Sequence, residues 1–342
     1  MSDTYYIRSK LYDRLFLIYI PLIAFCFVAA IVPMRNPGES FLNPPNTPVW
    51  LISAASFIIF MHVTLVFVRS HLNQTVYSKY PIRFTLIPIV IFLALALNNN
   101  LYLLVIPITY IWDEMHSALQ TFGLGRIYDS KLGNNPLVGR RLDMGLCFFI
   151  EYYPHITRVM ILPQDEFVKE LEVFGSYTQI IYELAPKLVS PMVLIGICYI
   201  LFYTYRYYKL VQGGYKISSN KVLVYTLTGG VTIFTVYNYS IIEALIIGNL
   251  YHSIQYFAII WFMEKKNIIK QLKLTKLNYS YLLGIFIVGS SIFMLALLRL
   301  STESITFDIT NNLPILGAFW LTTSILHFWY DGFIWSVRRK EV

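Results

Sequence analysis

Long runs of apolar residues, separated by short polar segments, extend along most of the chain and predict a fold made of membrane-spanning helices. A helix rises about 1.5 Å per residue, so about 20 apolar residues cross the roughly 30 Å hydrocarbon core of a bilayer. A short Asn run at 98–100 predicts a tight turn between two such helices. We count about ten predicted spans, at 14–33, 49–68, 84–99, 101–123, 143–162, 188–205, 222–238, 241–263, 279–298 and 313–336.

The basic residues lie on one side of this predicted arrangement. Positive charge is typical of the cytoplasmic ends of membrane helices. We therefore expect both termini in the cytoplasm of a cell-membrane protein, and we attribute the net charge of +8 to orientation and to anionic lipid headgroups rather than to nucleic acid. With the N-terminus inside, 22 of the 27 Lys and Arg residues fall in the inside segments 1–14, 69–83, 125–142, 206–221, 264–277 and 337–342.

Composition supports an all-α, polytopic integral membrane helical bundle that forms a single transmembrane domain over residues 1–342. The chain is 56% hydrophobic and only 13% charged, with a mean hydropathy of +0.57, whereas soluble domains have about 25% charged residues. The longest predicted outside segment, 163–187, has apolar residues at near-helical spacing. It predicts an interfacial helix on the outer face, with a solvated, partly helical loop as the alternative. The three cysteines match no disulfide or zinc pattern.

Four histidines occupy similar depths in four of the predicted spans. His62, His116, His252 and His327 lie in spans two, four, eight and ten, which all run from outside to inside. Counting residues to the next inside basic residue places them roughly 10–20 Å above the cytoplasmic edge. We therefore predict that the four histidines converge on one metal centre, although a single intramembrane histidine is more often structural.

Each of three histidines has a polar neighbour one helical turn away, which is how metal-binding histidines are usually oriented. An ionised Asp inside a membrane helix costs about 2.5–3.5 kcal/mol, so Asp331 needs a partner. We expect Asp331 to bind the metal or to orient His327. These neighbours give Asp331, Tyr256 and Gln120 as candidates for a catalytic role, and Gln255 and Asp113 as candidates that support the bound metal.

Imidazole and carboxylate ligands suit iron, zinc or manganese better than copper(I) or an iron–sulfur cluster. We expect one or two iron ions, with zinc or manganese as alternatives. Arg69, Arg338 and Trp335 are candidates to hold a polar substrate head at the cytoplasmic mouth. The alternative is that the two arginines extend to the interface and mark topology, and that Trp335 is a packing or interface residue.

Three segments carry a resemblance to known proteins: 62–69, 116–123 and 327–335. They resemble a group of bacterial polytopic membrane proteins with a His-x-x-x-Gln-x-x-Gly segment and a closing His-x-x-x-Asp-x-x-x-Trp. More distantly, the pattern of isolated histidines on separate helices is similar to that of the Brp/Blh-type membrane carotene dioxygenases. This resemblance implies histidine-bound iron and an oxygenase activity. The chain lacks the paired-histidine boxes of membrane fatty-acid desaturases.

Together these observations predict a membrane-embedded non-haem iron oxygenase or oxidoreductase that acts on a lipid-soluble substrate. Its expected partners are membrane lipids, a hydrophobic small molecule and an electron-donor protein, with no nucleic acid. The main alternative is a transporter or a proton or cation channel that uses Asp113, Glu151, Glu243 and Asp331 together with the histidines. Haem bound by two histidines and a purely structural subunit are further alternatives.

Overall fold

The structure is a computed structural model that describes residues 5–36, 47–162, 177–271 and 315–334, and this part of the chain is helical and contains no strand. Two short π-helical segments, Arg14–Ile18 and Phe148–Tyr152, interrupt otherwise α-helical stretches. The α-helices are α1 (Lys10–Asp13), α2 (Ile20–Ala29), α3 (Val49–His71), α4 (Gln74–Tyr77), α5 (Pro81–Leu97), α6 (Asn99–Lys131), α7 (Arg140–Cys147), α8 (Tyr153–Val159), α9 (Tyr177–Gln212), α10 (Ser219–Asn238), α11 (Ile241–Gln271) and α12 (Ile315–Ile334).

Three helices are long and apolar enough to cross a membrane: Val49–His71, Tyr182–Gln212 and Ile241–Lys266. Two bent pairs raise the number to five if each pair forms one span. The first bend, of 52°, separates Lys10–Ile18 from Ile20–Ala29, and the second, of 107°, separates Pro81–Leu97 from Asn99–Ile106. These numbers refer to the described residues.

Several helices coincide with predicted spans and differ mainly at their ends. The 107° bend lies at the predicted Asn turn, where the Asn98 side chain accepts a hydrogen bond from the Leu101 amide at 3.0 Å. Helix α6 continues to Lys131, so the connection predicted at 125–142 is shorter than expected. The predicted span at 279–298 and residues 163–176 of the predicted interfacial segment lie outside the described ranges. Residues 177–187 belong to α9, and their position at a membrane surface stays a prediction.

The chain divides into two compact units. Unit 1 contains Met1–Ile52 and Glu114–His252, and unit 2 contains Ser53–Asp113 and Ser253–Val342. In unit 1, α10 packs against α2, α8 and the π-helical segment Phe148–Tyr152. Gly229 permits this close packing, because a Cβ atom there would lie 2.7 Å from the Cβ of Ile150.

Unit 2 is built on the packing of α12 against α5. One apolar cluster joins Val66, Phe84, Leu326 and Tyr330, and the Tyr330 hydroxyl donates to the Arg83 carbonyl at 2.8 Å. Aromatic rings in this cluster meet mostly edge to face, an arrangement that is favourable beyond the buried area alone. A second apolar cluster, which contains Leu65, Tyr256 and Ile260, packs α3 against α11.

Unit 1 also contains a buried group of four charged side chains, Arg126, Asp129, Asp143 and Lys221, which we call the charge cluster. Lys221 Nζ donates to Asp129 Oδ2 at 2.6 Å, and Arg126 Nη1 donates to Asp143 Oδ2 at 2.6 Å. Two positive and two negative charges balance, as burial of ions requires. The cluster therefore joins the end of α6 to α7 and to the start of α10.

Tyrosines and a tight loop complete the surroundings of the charge cluster. Burial, and then the Asp129 carboxylate, raise the pKa of Tyr215 above its ordinary value. The Tyr215 hydroxyl therefore stays protonated and donates to Asp129 Oδ2 at 2.5 Å. Arg126 Nη2 donates to the carbonyls of Pro136 and Val138, both at 2.9 Å. The loop then enters α7 through Gly139, whose φ of 73° favours glycine.

Candidate metal centre

The four predicted metal-binding histidines lie on four different long helices and are all buried. His62 is on α3, His116 on α6, His252 on α11 and His327 on α12, and their exposed fractions are 1%, 4%, 2% and 0%. These are low values for imidazole side chains, which are usually intermediate in burial. Two of the histidines belong to unit 1 and two to unit 2.

In unit 1, His116 and His252 form a ring pair. Their ring centroids are 5.1 Å apart, and the ring planes meet at 80°. Gln120, one turn after His116 on α6, donates from Nε2 to the backbone carbonyl of His252 at 3.0 Å. Gln120 thus connects α6 to α11 at the level of this pair. The catalytic role predicted for Gln120 stays a prediction.

In unit 2, His62 and His327 form the second ring pair, with centroids 4.3 Å apart and ring planes at 82°. The ring of Tyr256 meets both imidazoles edge to face, 4.8 Å from His62 and 5.2 Å from His327. Its hydroxyl donates to Asp331 Oδ1 at 2.9 Å. Asp331 Oδ2 lies 3.8 Å from His327 Nε2, which is too long for a hydrogen bond but close enough for electrostatic attraction to a charged imidazole.

One potential ligand atom from each of the four histidines lies within 4.8 Å of the other three. Two imidazole nitrogens bound to one tetrahedral metal ion, each at about 2.0–2.1 Å, lie roughly 3.4 Å apart. Four imidazoles are a donor set that suits zinc, copper, iron or nickel. The donor set of four imidazoles therefore fits a bound transition metal.

The other predicted supporting residues vary in burial. Gln255, three residues after His252 on α11, is completely buried, whereas Asp113 on α6 is half-buried. Trp112, the residue before Asp113 on α6, packs on Phe328 with ring centroids 6.1 Å apart. The roles of Gln255 and Asp113 at a metal stay predictions.

Arg69, predicted to hold a polar substrate head, makes a buried ion pair. Its Nη1 lies 2.5 Å from Glu264 Oε1, and Asn73 Nδ2 donates to Glu264 Oε2 at 3.0 Å. Sequence reasoning did not single out Glu264, although an acidic residue directly before Lys265 at a basic rim was a usable signal. The substrate-binding role of Arg69 stays a prediction, and Arg338 and Trp335 lie outside the described residues.

We compared this chain with known proteins in three ways. A scan against protein-family models, a search of curated proteins and a search of solved structures found no match for this chain. The resemblance to bacterial polytopic proteins and to membrane carotene dioxygenases therefore stays a prediction.

Proposed function

We propose that this protein is a membrane-embedded metalloenzyme whose four buried histidines hold one transition-metal ion. The observation that carries the proposal is the approach of four imidazole ligand atoms to within 4.8 Å of one another. Four histidines, separated by up to 265 positions in the sequence, have little reason to meet in an apolar interior unless they share a ligand. The proposed metal is iron, with zinc or manganese as alternatives, and the proposed activity is oxygenation or a related oxidation of a lipid-soluble substrate.

The proposed setting is a cell membrane crossed about ten times, with both termini in the cytoplasm. Three to five helices of the described residues have the length and composition of spans. The sorting of Lys and Arg to one side supports the remaining spans and the orientation. A hydrophobic substrate would reach the histidines from the lipid, and an electron-donor protein would dock at the cytoplasmic surface.

The chain's own residues would shape the reaction in several ways. Iron, when bound by the four histidines, would supply the activation of dioxygen. The buried helices keep bulk water away from the reacting atoms. Gln120 holds α11 beside α6, and the bond from Tyr256 to Asp331 fixes the carboxylate near His327. Such supporting hydrogen bonds orient metal ligands and typically change metal affinity about 10–100-fold when removed.

The function can be tested by product analysis. The purified protein, loaded anaerobically with Fe(II) and placed in liposomes made from a bacterial lipid extract, would be exposed to ¹⁸O₂ with a chemical reductant. We expect new lipid-soluble products that carry one or two ¹⁸O atoms. Their absence from the His116→Ala variant and their presence with His71→Ala would assign the reaction to the centre. No labelled product from an iron-loaded wild-type protein would contradict the oxygenase proposal.

A proton or cation transporter is the second proposed function. Glu151 favours it, because this carboxylate is only 2% exposed and lies on the π-helical segment Phe148–Tyr152. Glu243 gives less support, because its carboxylate already has hydrogen-bond partners. It accepts from the Ser240 amide at 2.9 Å, as in a capping box at the start of a helix, and from Thr47 Oγ1 at 2.7 Å. Proton flux into protein-containing liposomes that is lost in Glu151→Gln would favour transport over oxygenation.

A further inference from the structure

Unit 2 contains a cationic side chain that lies against three aromatic rings. The guanidinium carbon of Arg83, in the first turn of α5, is 5.1 Å from the ring centroid of Tyr80. The same atom is 5.9 Å from the centroid of Trp329 and 5.1 Å from that of Phe333, both on α12. A guanidinium within about 6 Å of an aromatic face is attracted to it. We call these four side chains the Arg83 site.

The three rings of the Arg83 site support one another. Tyr80 and Phe333 meet edge to face with centroids 5.0 Å apart, and Trp329 and Phe333 do so at 5.6 Å. All three rings also pack against the buried apolar cluster that joins α5 to α12. The guanidinium therefore lies on a well-packed aromatic surface, which reduces the entropy that a bound ligand would have to remove from it.

The hydrogen-bonding capacity of Arg83 is unused by the described part of the chain. The side chain is exposed, and it forms no ion pair or hydrogen bond with another described residue. A guanidinium has five N–H donors in a planar fork, which matches two oxygens of a phosphate or a carboxylate. The Arg83 site therefore offers a positioned positive charge with free donors, which suits an anion.

An exposed apolar stripe continues from Arg83 along the same face of α5. Its members are three to four residues apart, the spacing of one helix face, and each is between 46% and 70% exposed: Leu86, Val90, Leu93 and Leu97. Leu93 lies ten residues beyond Arg83, about 15 Å along the helix, which is half of the roughly 30 Å hydrocarbon core of a bilayer. An anion site at one end of such a stripe has the shape of a phospholipid, with a charged head and an apolar chain.

We propose that the Arg83 site binds the phosphate of an anionic phospholipid, whose acyl chain lies along the α5 stripe. Arg83 is at the cytoplasmic end of the predicted span 84–99, and the cytoplasmic leaflet is the one that carries anionic lipids. Aromatic rings are enriched at the same level of membrane proteins. This site is separate from the four-histidine centre in its ligand and does not depend on bound metal.

The Arg83 site can be tested by native mass spectrometry of the full-length protein released from detergent micelles. The probes are dioleoyl phosphatidylglycerol and dioleoyl phosphatidylcholine, which share their chains and a phosphate, whereas the choline ammonium cancels the net charge of the second lipid. We expect the wild type to bind phosphatidylglycerol more tightly than phosphatidylcholine. Arg83→Gln should weaken phosphatidylglycerol binding at least tenfold, because hydrogen bonds between charged groups are lost.

Two further variants separate a built site from general attraction to surface charge. Arg83→Lys keeps the charge but lacks the planar fork, so most of the preference for phosphatidylglycerol should be lost. Arg206→Gln is the matched control, because Arg206 is also exposed and lies 5.9 Å from one ring, that of Phe202. General attraction of one basic residue to an anionic surface changes binding only about fivefold, and we expect no larger change in this control.

The outcomes that would overturn the site are specific. A loss in folded Arg83→Gln no larger than the loss in Arg206→Gln, or a full preference for phosphatidylglycerol in Arg83→Lys, would leave only general charge attraction. Displacement of the bound lipid by millimolar inorganic phosphate would identify free phosphate as the ligand and contradict the lipid. Circular dichroism verifies that each variant is folded, and the metal content of all three variants should equal that of the wild type.

Discussion

Replacing Lys221 with Met should destabilise unit 1 by about 3–5 kcal/mol, the usual cost of breaking a buried ion pair from one side. Lys221 is 1% exposed, and its Nζ donates to Asp129 Oδ2 at 2.6 Å and to the Tyr207 hydroxyl at 2.9 Å. It also lies 3.4 Å from both oxygens of Asp143. Met has nearly the same volume as Lys, so packing changes little. The charge cluster then changes from neutral to a net charge of −1.

The magnitude can be measured as an equilibrium. Each 1.4 kcal/mol is a factor of ten, so 3–5 kcal/mol corresponds to a roughly hundredfold to few-thousandfold larger unfolding constant. Helical circular dichroism, followed during titration of dodecylmaltoside micelles with SDS, would report this constant. Lys209→Met is the matched control, because Lys209 is exposed and its replacement should change the free energy of unfolding by no more than about 0.5 kcal/mol.

The expected loss of stability comes from the unbalanced charge rather than from the loss of one contact. A double variant separates these two causes. Lys221→Met with Asp129→Asn restores neutrality, because Arg126 and Asp143 remain paired at 2.6 Å. We expect the double variant to be more stable than the sum of the single losses by about 0.5–3 kcal/mol. Additive losses, or a Lys221→Met protein as stable as the wild type, would refute the reasoning.

Three further predictions concern the candidate centre and its surroundings. Asp331→Asn weakens the acceptor of the Tyr256 hydroxyl near His327, so metal affinity should fall about 10–100-fold by competition with a chelator, and an unchanged affinity would remove Asp331 from the site. Glu264→Ala leaves Arg69 without its ion-pair partner and should cost about 3–5 kcal/mol in the same SDS titration, whereas Arg69→Ala with Glu264→Ala should recover part of that loss. Bound metal should dissociate in acid, because a proton and a metal ion compete for the same imidazole nitrogen; elemental analysis after dialysis at a series of pH values checks this, and full retention even in strong acid would argue against histidine ligands.

The four-histidine arrangement is the part of the site that sequence reasoning predicted best. Depth along each helix can be estimated by residue counting at about 1.5 Å per residue, so the sequence alone led us to expect the four histidines at similar depths. The pairing of His62 with His327 and of His116 with His252 could not be predicted, because helix order around a bundle depends on packing between distant segments. Gln120 was recognised by its spacing from His116, but its acceptor, the His252 carbonyl, lies on another helix.

The charge cluster was missed for a related reason. Each of its residues has a simple explanation in isolation, and basic residues near predicted span ends were used only as markers of orientation. Lys221 was counted on the cytoplasmic side, yet it is buried against Asp129. Spacing within one helix indicates which side chains share a face, but it does not identify the partner across the interface. Long-range ion pairs therefore require the tertiary structure.

The central claim is that the four histidines hold one metal ion, and the metal content of four single variants tests it most directly. His62→Ala, His116→Ala, His252→Ala and His327→Ala would each be purified in detergent beside the wild type and His71→Ala. His71 is the control, because its ring nitrogens pair with Ser70 Oγ at 2.8 Å and with the Phe84 carbonyl at 2.9 Å. We predict that each of the four variants loses the same equivalent of metal, while His71→Ala retains it. Retention of full metal by any two folded variants, or a wild-type protein that binds no metal, would contradict the account.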